Sequence, residues 1–110
     1  MKTLSKIALI FLVGIAISSC ERYKYEPADV QSIFVNKCSG CHPPTVGLDF
    51  TEGNVYNTLT THNGGSLLDL NNPENSLILV KSTDGHGSIQ VTTGEENLIL
   101  EWIQNGAQEF

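Results

Sequence analysis

Two cysteines and a histidine are grouped in the stretch "KCSGCH". Cys38 and Cys41 are three residues apart, and His42 follows directly. Three chemistries use such a pair of thiols. A redox dithiol of the thioredoxin type requires a strand before it and a helix that begins at the first cysteine. A zinc site requires two further ligands. Covalent haem attachment uses both thiols and takes the adjacent imidazole as an iron ligand.

The residues before the cysteines predict a helix. Val30, Ile33, Phe34 and Lys37 fall at positions i, i+3, i+4 and i+7, and Pro27 suits a first helical turn. A helix that leads into the cysteines disfavours the thioredoxin arrangement, because that arrangement places a strand there.

The two remaining histidines bear on the choice between zinc and haem. His62 and His86 could supply further zinc ligands, but they occur singly and without the spacing of a zinc finger. Haem attachment needs only what the motif contains, since two thiols can add to the two vinyl groups of one porphyrin. We therefore predict one haem c per chain, held by Cys38, Cys41 and His42, with zinc and a plain disulfide or dithiol as alternatives.

The first twenty residues are typical of an export signal. Lys2 and Lys6 precede an apolar run, "IALIFLVGIAI", that is too short to span a bilayer as a permanent helix. The run ends in "ISSC", which resembles the lipobox of bacterial lipoproteins. That resemblance implies cleavage before Cys20 and lipidation of its thiol; the alternative is an ordinary signal peptide with a chance cysteine nearby.

These features predict the domain organisation and the location. We expect a lipoprotein signal peptide at 1–19, a lipid-anchored tether at 20–27 and a folded domain at 28–110. The mature protein would lie in the bacterial cell envelope, bound to a membrane through Cys20 and facing the periplasm or the exterior. Export also suits haem, because c-type attachment takes place outside the cytoplasm.

The charge of the predicted mature chain excludes one class of partner. Four basic residues remain: Arg22, Lys24, Lys37 and Lys81. Against twelve acidic residues they give a net charge of −8. No basic patch is available to neutralise phosphates, so we expect no nucleic-acid partner. A basic or neutral docking partner is more plausible.

Four helical segments predict an all-α fold. They cover about 28–39, about 54–62, "NNPENSLILVKST" and "TTGEENLILEWIQNGA". Gly64 and Gly65 interrupt the second segment, and Asn72 and Pro73 suit the cap and first turn of the third. The loop 42–53 contains two prolines that prevent the first helix from continuing.

The last helix has its own start signal and apolar stripe. Thr93 and Glu96 have the spacing of a capping box, and Gly106 lies just past the end. The stripe is typical of core packing: Leu98, Ile99, Trp102 and Ile103.

The chain resembles a known family over roughly residues 28–107. It is similar to class I c-type cytochrome domains, and more closely to the small planctomycete-type cytochrome c domains of exported proteins. The matching elements are Ile33-Phe34, Cys38-Ser39-Gly40-Cys41-His42, Gly47-Leu48-Asp49-Phe50, Ser76-Leu77 and Trp102-Ile103-Gln104-Asn105-Gly106-Ala107. The resemblance implies a small cytochrome c-like fold with about four helices around one haem. It also implies thioethers at Cys38 and Cys41 and iron bound to His42.

The chain departs from the family on the other side of the iron. Most such domains carry a distal methionine, and this chain has no methionine after Met1. His86 is our candidate for the distal ligand, because Gly85 and Gly87 would let the backbone approach a flat porphyrin. His62 is the second candidate; Lys81, water or an open position complete the alternatives.

Two functions follow from the two distal arrangements. A distal imidazole favours a membrane-anchored electron carrier that exchanges electrons with a redox partner protein in the envelope. An open distal site favours a haem-based gas or redox sensor, or a ligand-binding module. We expect no enzymatic activity, because no nucleophile, base and orienting group stand out together. Three serines fit turn or capping roles instead: Ser66, Ser76 and Ser82.

Overall fold

The computed structural model describes residues 25–42, 47–65, 67–88 and 90–110. Within these ranges 58% of the residues are helical and none lies in a strand, so the predicted all-α class is confirmed. The four α-helices in these ranges are α1 Pro27–Cys38, α2 Val55–Thr61, α3 Leu77–Thr83 and α4 Thr93–Gln104. Between them, the described residues form three short 3₁₀ turns: His62–Gly64, Pro73–Asn75 and His86–Ser88.

Helix α1 forms where the periodicity predicts it. Pro27 occupies the first turn, where its missing N–H costs no hydrogen bond, and Lys37 lies in the last turn, where a cation complements the helix dipole. The apolar face is buried through Val30, Ile33 and Phe34. This helix therefore delivers Cys38 at a defined position on the core.

Helix α2 is short: it ends at Thr61, and the 3₁₀ turn that follows it runs into the predicted glycine pair. Val55 and Leu59 are buried, and the hydroxyl of Thr58 donates a 2.7 Å hydrogen bond to the carbonyl of Asp49. Gly65 has a φ of 85°, and a Cβ at this position would lie 2.9 Å from the carbonyl oxygen of Thr60. Only glycine fits this turn without a shift of the backbone.

The predicted start of the third helix is wrong in detail. Asn72 and Pro73 begin a separate 3₁₀ turn, and α3 starts only at Leu77. Ser76 breaks the segment because its backbone is non-helical and its buried hydroxyl accepts a 2.9 Å hydrogen bond from the N–H of Asp69. A serine that satisfies a backbone group elsewhere competes with helix continuation.

The predicted capping box of α4 is displaced by one residue. Thr92, in extended conformation, accepts from the N–H of Glu95 at 3.2 Å, and the Glu95 carboxylate accepts from the N–H of Thr92 at 2.7 Å. The prediction of Thr93 and Glu96 is therefore wrong, although the motif exists. The two adjacent threonines and two adjacent glutamates allow either register, and the extended backbone at Thr92 selects this one.

All four helices contribute to one core. Helix α1 packs on α2 and α4, and α3 packs on α4. Three of the four residues of the predicted α4 stripe are fully buried, and Leu98 is partly buried. The apolar core consists of Val30, Ile33, Phe34, Phe50, Val55, Leu59, Leu67, Ile78, Leu79, Ile99, Trp102, Ile103 and Ala107.

The predictions for the N-terminal segment concern residues 1–24, which the structure does not describe. The signal peptide, Cys20 and the tether up to Lys24 lie outside the described residues and stay predictions. In the part of the chain that the structure describes, no helix is both long enough and apolar enough to cross a membrane.

The displaced capping box generates a paired prediction. Thr92→Ala should lower the free energy of unfolding by about 1 kcal/mol, because it removes the acceptor for the N–H of Glu95. Thr93→Ala is the matched control and should change it by less than about 0.5 kcal/mol. Urea denaturation followed by circular dichroism measures both. A larger loss for Thr93→Ala would contradict the assigned cap.

Candidate functional site

A cavity of about 320 Å³ lies beside the end of α1. Its volume is at the lower end of the range for small-molecule sites in proteins. It is lined by Lys37, Cys38, Cys41, His42, Leu48, Phe50, His62, Asn63, Leu67, Leu77, Ile78, Lys81, Ser82, His86, Gly87 and Val91. All the described residues that we proposed as haem or iron ligands therefore lie at one cavity.

The turn after α1 brings the motif residues to the cavity wall. The N–H groups of Cys41 and His42 both donate to the carbonyl of Cys38, at 3.2 and 2.9 Å. Cys38 is half-buried, Cys41 is exposed, and both are free thiols. One turn of backbone thus places two sulfur atoms and one imidazole at the same cavity.

The protonation of Cys38 bears on the dithiol alternative. Burial, together with the nearby Cys41, raises the pKa of the Cys38 thiol to about 11. Catalytic dithiols have a lowered pKa that supplies a thiolate near neutral pH. Cys38 deviates in the opposite direction, which disfavours the redox dithiol.

His42 is held with one nitrogen inside the protein. Its Nδ1 is buried and has no hydrogen-bond partner among the described residues. Its ring meets Phe50 edge-on at 5.8 Å, and its carbonyl accepts from the N–H of Phe50 at 3.2 Å. We expect Pro44 or another carbonyl of loop 43–48 to accept from Nδ1; residues 43–46 of that loop lie outside the described residues.

His86 lies across from His42. The ring centroids are 6.0 Å apart and the ring planes differ by 11°. His86 is exposed, and its N–H donates to the carboxylate of Asp84 at 3.0 Å. The flanking glycines, Gly85 and Gly87, have φ values of 83° and 65°, so both adopt the left-handed conformation that favours glycine.

The separation of these two rings would leave room for one metal ion between them. A metal–imidazole bond is about 2.0 Å long. Each ring centre lies about 1 Å beyond the nitrogen that would bind the ion. Two imidazoles that bound one ion from opposite sides would therefore have ring centres about 6 Å apart. The observed 6.0 Å separation between His42 and His86 matches this requirement, and both cysteines lie at the same cavity.

His62 and Lys81 also reach the cavity but have other partners. His62 Nε2 lies 3.0 Å from the amide nitrogen of Asn63. Lys81 is half-exposed, and its ammonium lies 3.9 Å from the carboxylate of Asp84. No ring contact between His62 and His42 is found among the described residues, and Lys81 has no ring, so His86 is the better match for His42.

The zinc alternative has a more demanding ligand set. A structural zinc site takes four protein ligands, whereas haem iron takes at most two from the chain. In residues 25–42, 47–65, 67–88 and 90–110, no group of three or more His, Cys, Asp or Glu side chains could hold a metal ion by itself.

Two residues at the site are absent from our sequence-based ligand set. Phe50 packs on His42, and Lys37 lines the cavity and forms an ion pair with Glu95 at 3.2 Å. Lys37 could have been found from the sequence, because it is a charged residue at the next helical position after the apolar residues of α1. For Phe50 the only indication in the sequence is its position at the end of the "GLDF" motif.

Comparison with known proteins returned no match: no protein-family model, no curated protein and no solved structure matches the chain.

The loop that carries His86 can be tested with two glycine-to-alanine substitutions that should change the stability in opposite directions. Gly85→Ala should destabilise the protein by about 1–2 kcal/mol, because φ is 83° and the new Cβ would lie 3.2 Å from the amide nitrogen of Gln90. Gly94→Ala, in the first turn of α4 with only a 3.9 Å contact, should stabilise it by about 0.5–1 kcal/mol. Thermal unfolding compares the two; equal shifts in Tm would contradict the loop geometry.

Proposed function

We propose that the chain is a membrane-anchored mono-haem c-type cytochrome that acts as an electron carrier. Cys38 and Cys41 would hold one haem c through thioether bonds, and His42 and His86 would bind its iron. The observation that carries the proposal is the pair of nearly parallel imidazoles, 6.0 Å apart, at a cavity that also contains both cysteines.

The chain's own residues would hold and shield the group. When bound, haem supplies one-electron exchange between ferric and ferrous iron. Two imidazoles favour outer-sphere transfer, because neither ligand has to leave when the iron changes charge. Apolar side chains at the cavity, including Phe50, Leu67 and Ile78, would exclude water and lower the local dielectric. Methionine ligation raises the potential, so a His/His protein should have a lower one than a His/Met cytochrome.

The setting of the carrier follows from the N-terminal sequence. A lipid on Cys20 would fix the domain to a membrane of the bacterial envelope. A redox partner protein in the same compartment would supply or accept the electron, and the chain itself would catalyse no reaction. The predicted mature charge of −8 favours a basic or neutral partner and disfavours nucleic acid.

One observation favours a second candidate function. His86 is exposed and lies between two glycines with positive φ, so a ligand could displace it at modest cost. A haem-based gas or redox sensor would use such a displaceable distal ligand.

An optical spectrum with and without carbon monoxide separates the two functions. The carrier predicts a six-coordinate, low-spin ferrous form that does not respond to the gas. His86→Ala should convert it to a form that binds carbon monoxide readily, whereas His62→Ala, a histidine at the same cavity, should leave the spectrum unchanged. Ready binding by the wild type would support the sensor. An unchanged spectrum in His86→Ala would remove His86 as the ligand.

Covalent attachment is tested by mass and by stability. Mass spectrometry of the matured protein should find one haem per chain, and its absence would remove the proposal. The double variant Cys38→Ser/Cys41→Ser should be poorly folded, because a domain of this size buries limited apolar surface without the haem. Circular dichroism melts compare it with the wild type, and equal melting would contradict a structural role of the haem.

A further inference from the structure

Lys37 links two walls of the cavity. Its ammonium donates to the carbonyl of Gln90 at 3.2 Å and pairs with the carboxylate of Glu95 at 3.2 Å. Lys37 directly precedes Cys38 in α1, and Gln90 lies between α3 and α4. The side chain therefore connects the helix that carries the cysteines to the segment that follows the His86 turn.

Gln90 continues this connection to α3. Its side-chain amide donates to the carbonyl of Thr83, the last residue of α3, at 3.3 Å. The next residue, Val91, donates its N–H to the carbonyl of Ser82 at 3.1 Å. The Gln90 amide also lies over Gly85, since a Cβ there would be 3.2 Å away.

The His86 turn is thereby held at its first residues. Asp84 accepts from the N–H of His86 at 3.0 Å and donates its own N–H to the carbonyl of Val80 at 3.1 Å. Gln90 contacts the same end of α3 through Thr83 and packs near Gly85. A chain of contacts consequently runs from Lys37 through Gln90 to the turn that carries His86.

Glu95 keeps Lys37 in this position. Its carboxylate is fixed by the N–H of Thr92 in the capping box, at 2.7 Å. Partial burial would raise the pKa of Glu95, but the hydrogen bond from Thr92 and the ammonium of Lys37 outweigh it, and the pKa is lowered. The carboxylate is therefore ionised at neutral pH, as the ion pair with Lys37 requires.

We propose that Lys37 is a positioning residue that holds His86 opposite His42. The inference rests on the proposed function, because it assigns a role in maintaining the distal ligand. Lys37 itself would not bind iron: its ammonium already has two oxygen partners, the carbonyl of Gln90 and the carboxylate of Glu95.

The chain contains a matched control for the charge. In residues 25–110 the only basic side chains other than histidine are Lys37 and Lys81, and both line the cavity. The Lys81 side chain is 52% exposed, against 29% for Lys37. Lys81 pairs at 3.9 Å with Asp84, which also accepts from the N–H of His86. Its removal therefore takes away a charge beside the turn without breaking the link between α1 and Gln90.

The test uses the haem-loaded protein. Lys37→Met keeps the aliphatic stem and removes the ammonium. It should raise the apparent affinity of the ferrous protein for carbon monoxide about fivefold, which is the upper range for the loss of one partly exposed ion pair. The comparison is made at gas pressures high enough to displace His86 in part of the wild type. Lys37→Arg should keep most of the wild-type behaviour, and Lys81→Met should change carbon monoxide binding less than Lys37→Met does. An unchanged carbon monoxide response in Lys37→Met, or an equal change in Lys81→Met, would overturn the role of Lys37.

The outcomes separate this inference from the proposed function. Wild-type protein without covalent haem overturns the function itself, whereas haem-loaded, six-coordinate wild type with an indifferent Lys37→Met overturns only the positioning role. If Lys37→Met does not mature, Gln90→Ala tests the same connection at the Thr83 contact. An increase in carbon monoxide binding by Gln90→Ala supports the role, and a wild-type response contradicts it.

Discussion

The packing of α1 with α4 is the interaction on which the rest of the structure depends. Phe34 of α1 and Trp102 of α4 are fully buried in the same cluster, and the two helices are in direct contact. Each is twelve residues long, so neither would be stable as an isolated helix in water. Their mutual burial makes both persist, and it fixes where α1 ends. The turn from Cys38 to His42 takes its position from that end.

The cavity lies where the remaining elements fail to close over this pair of helices. Helices α2 and α3 are only seven residues each, and the 3₁₀ turns that follow them bring His62 and His86 to the cavity wall. Because α2 and α3 are short and are followed by glycine-containing turns, they leave the cavity open and place the two histidines at its wall. The ion pair between Lys37 and Glu95 connects this open side to the first turn of α4. The 3₁₀ turns at the cavity are thus supported by α1 and α4, the two longest helices that the structure describes.

Helix existence could be predicted from periodicity, but helix starts could not always be. The stripes of α1 and α4 are strong signals because many buried residues report the same face. The start of α4 depends on which of two adjacent threonines is extended, and local sequence allows both. The start of α3 depends on Ser76, whose hydroxyl binds the N–H of Asp69 seven residues earlier. Such choices are decided by contacts that a periodic pattern does not contain.

The sequence by itself determined the chemistry available: two thiols and an imidazole within one turn, no methionine after Met1, and two further histidines. These follow from residue identity and from spacing along one helix end, which local backbone geometry translates directly into proximity. Only the tertiary structure decided which distant side chains meet. His86 faces His42 at 6.0 Å, and Lys37 reaches Gln90 across 53 positions of the chain. The physical reason is that proximity across the chain depends on how α1, α3 and α4 pack, and packing is a property of the whole core.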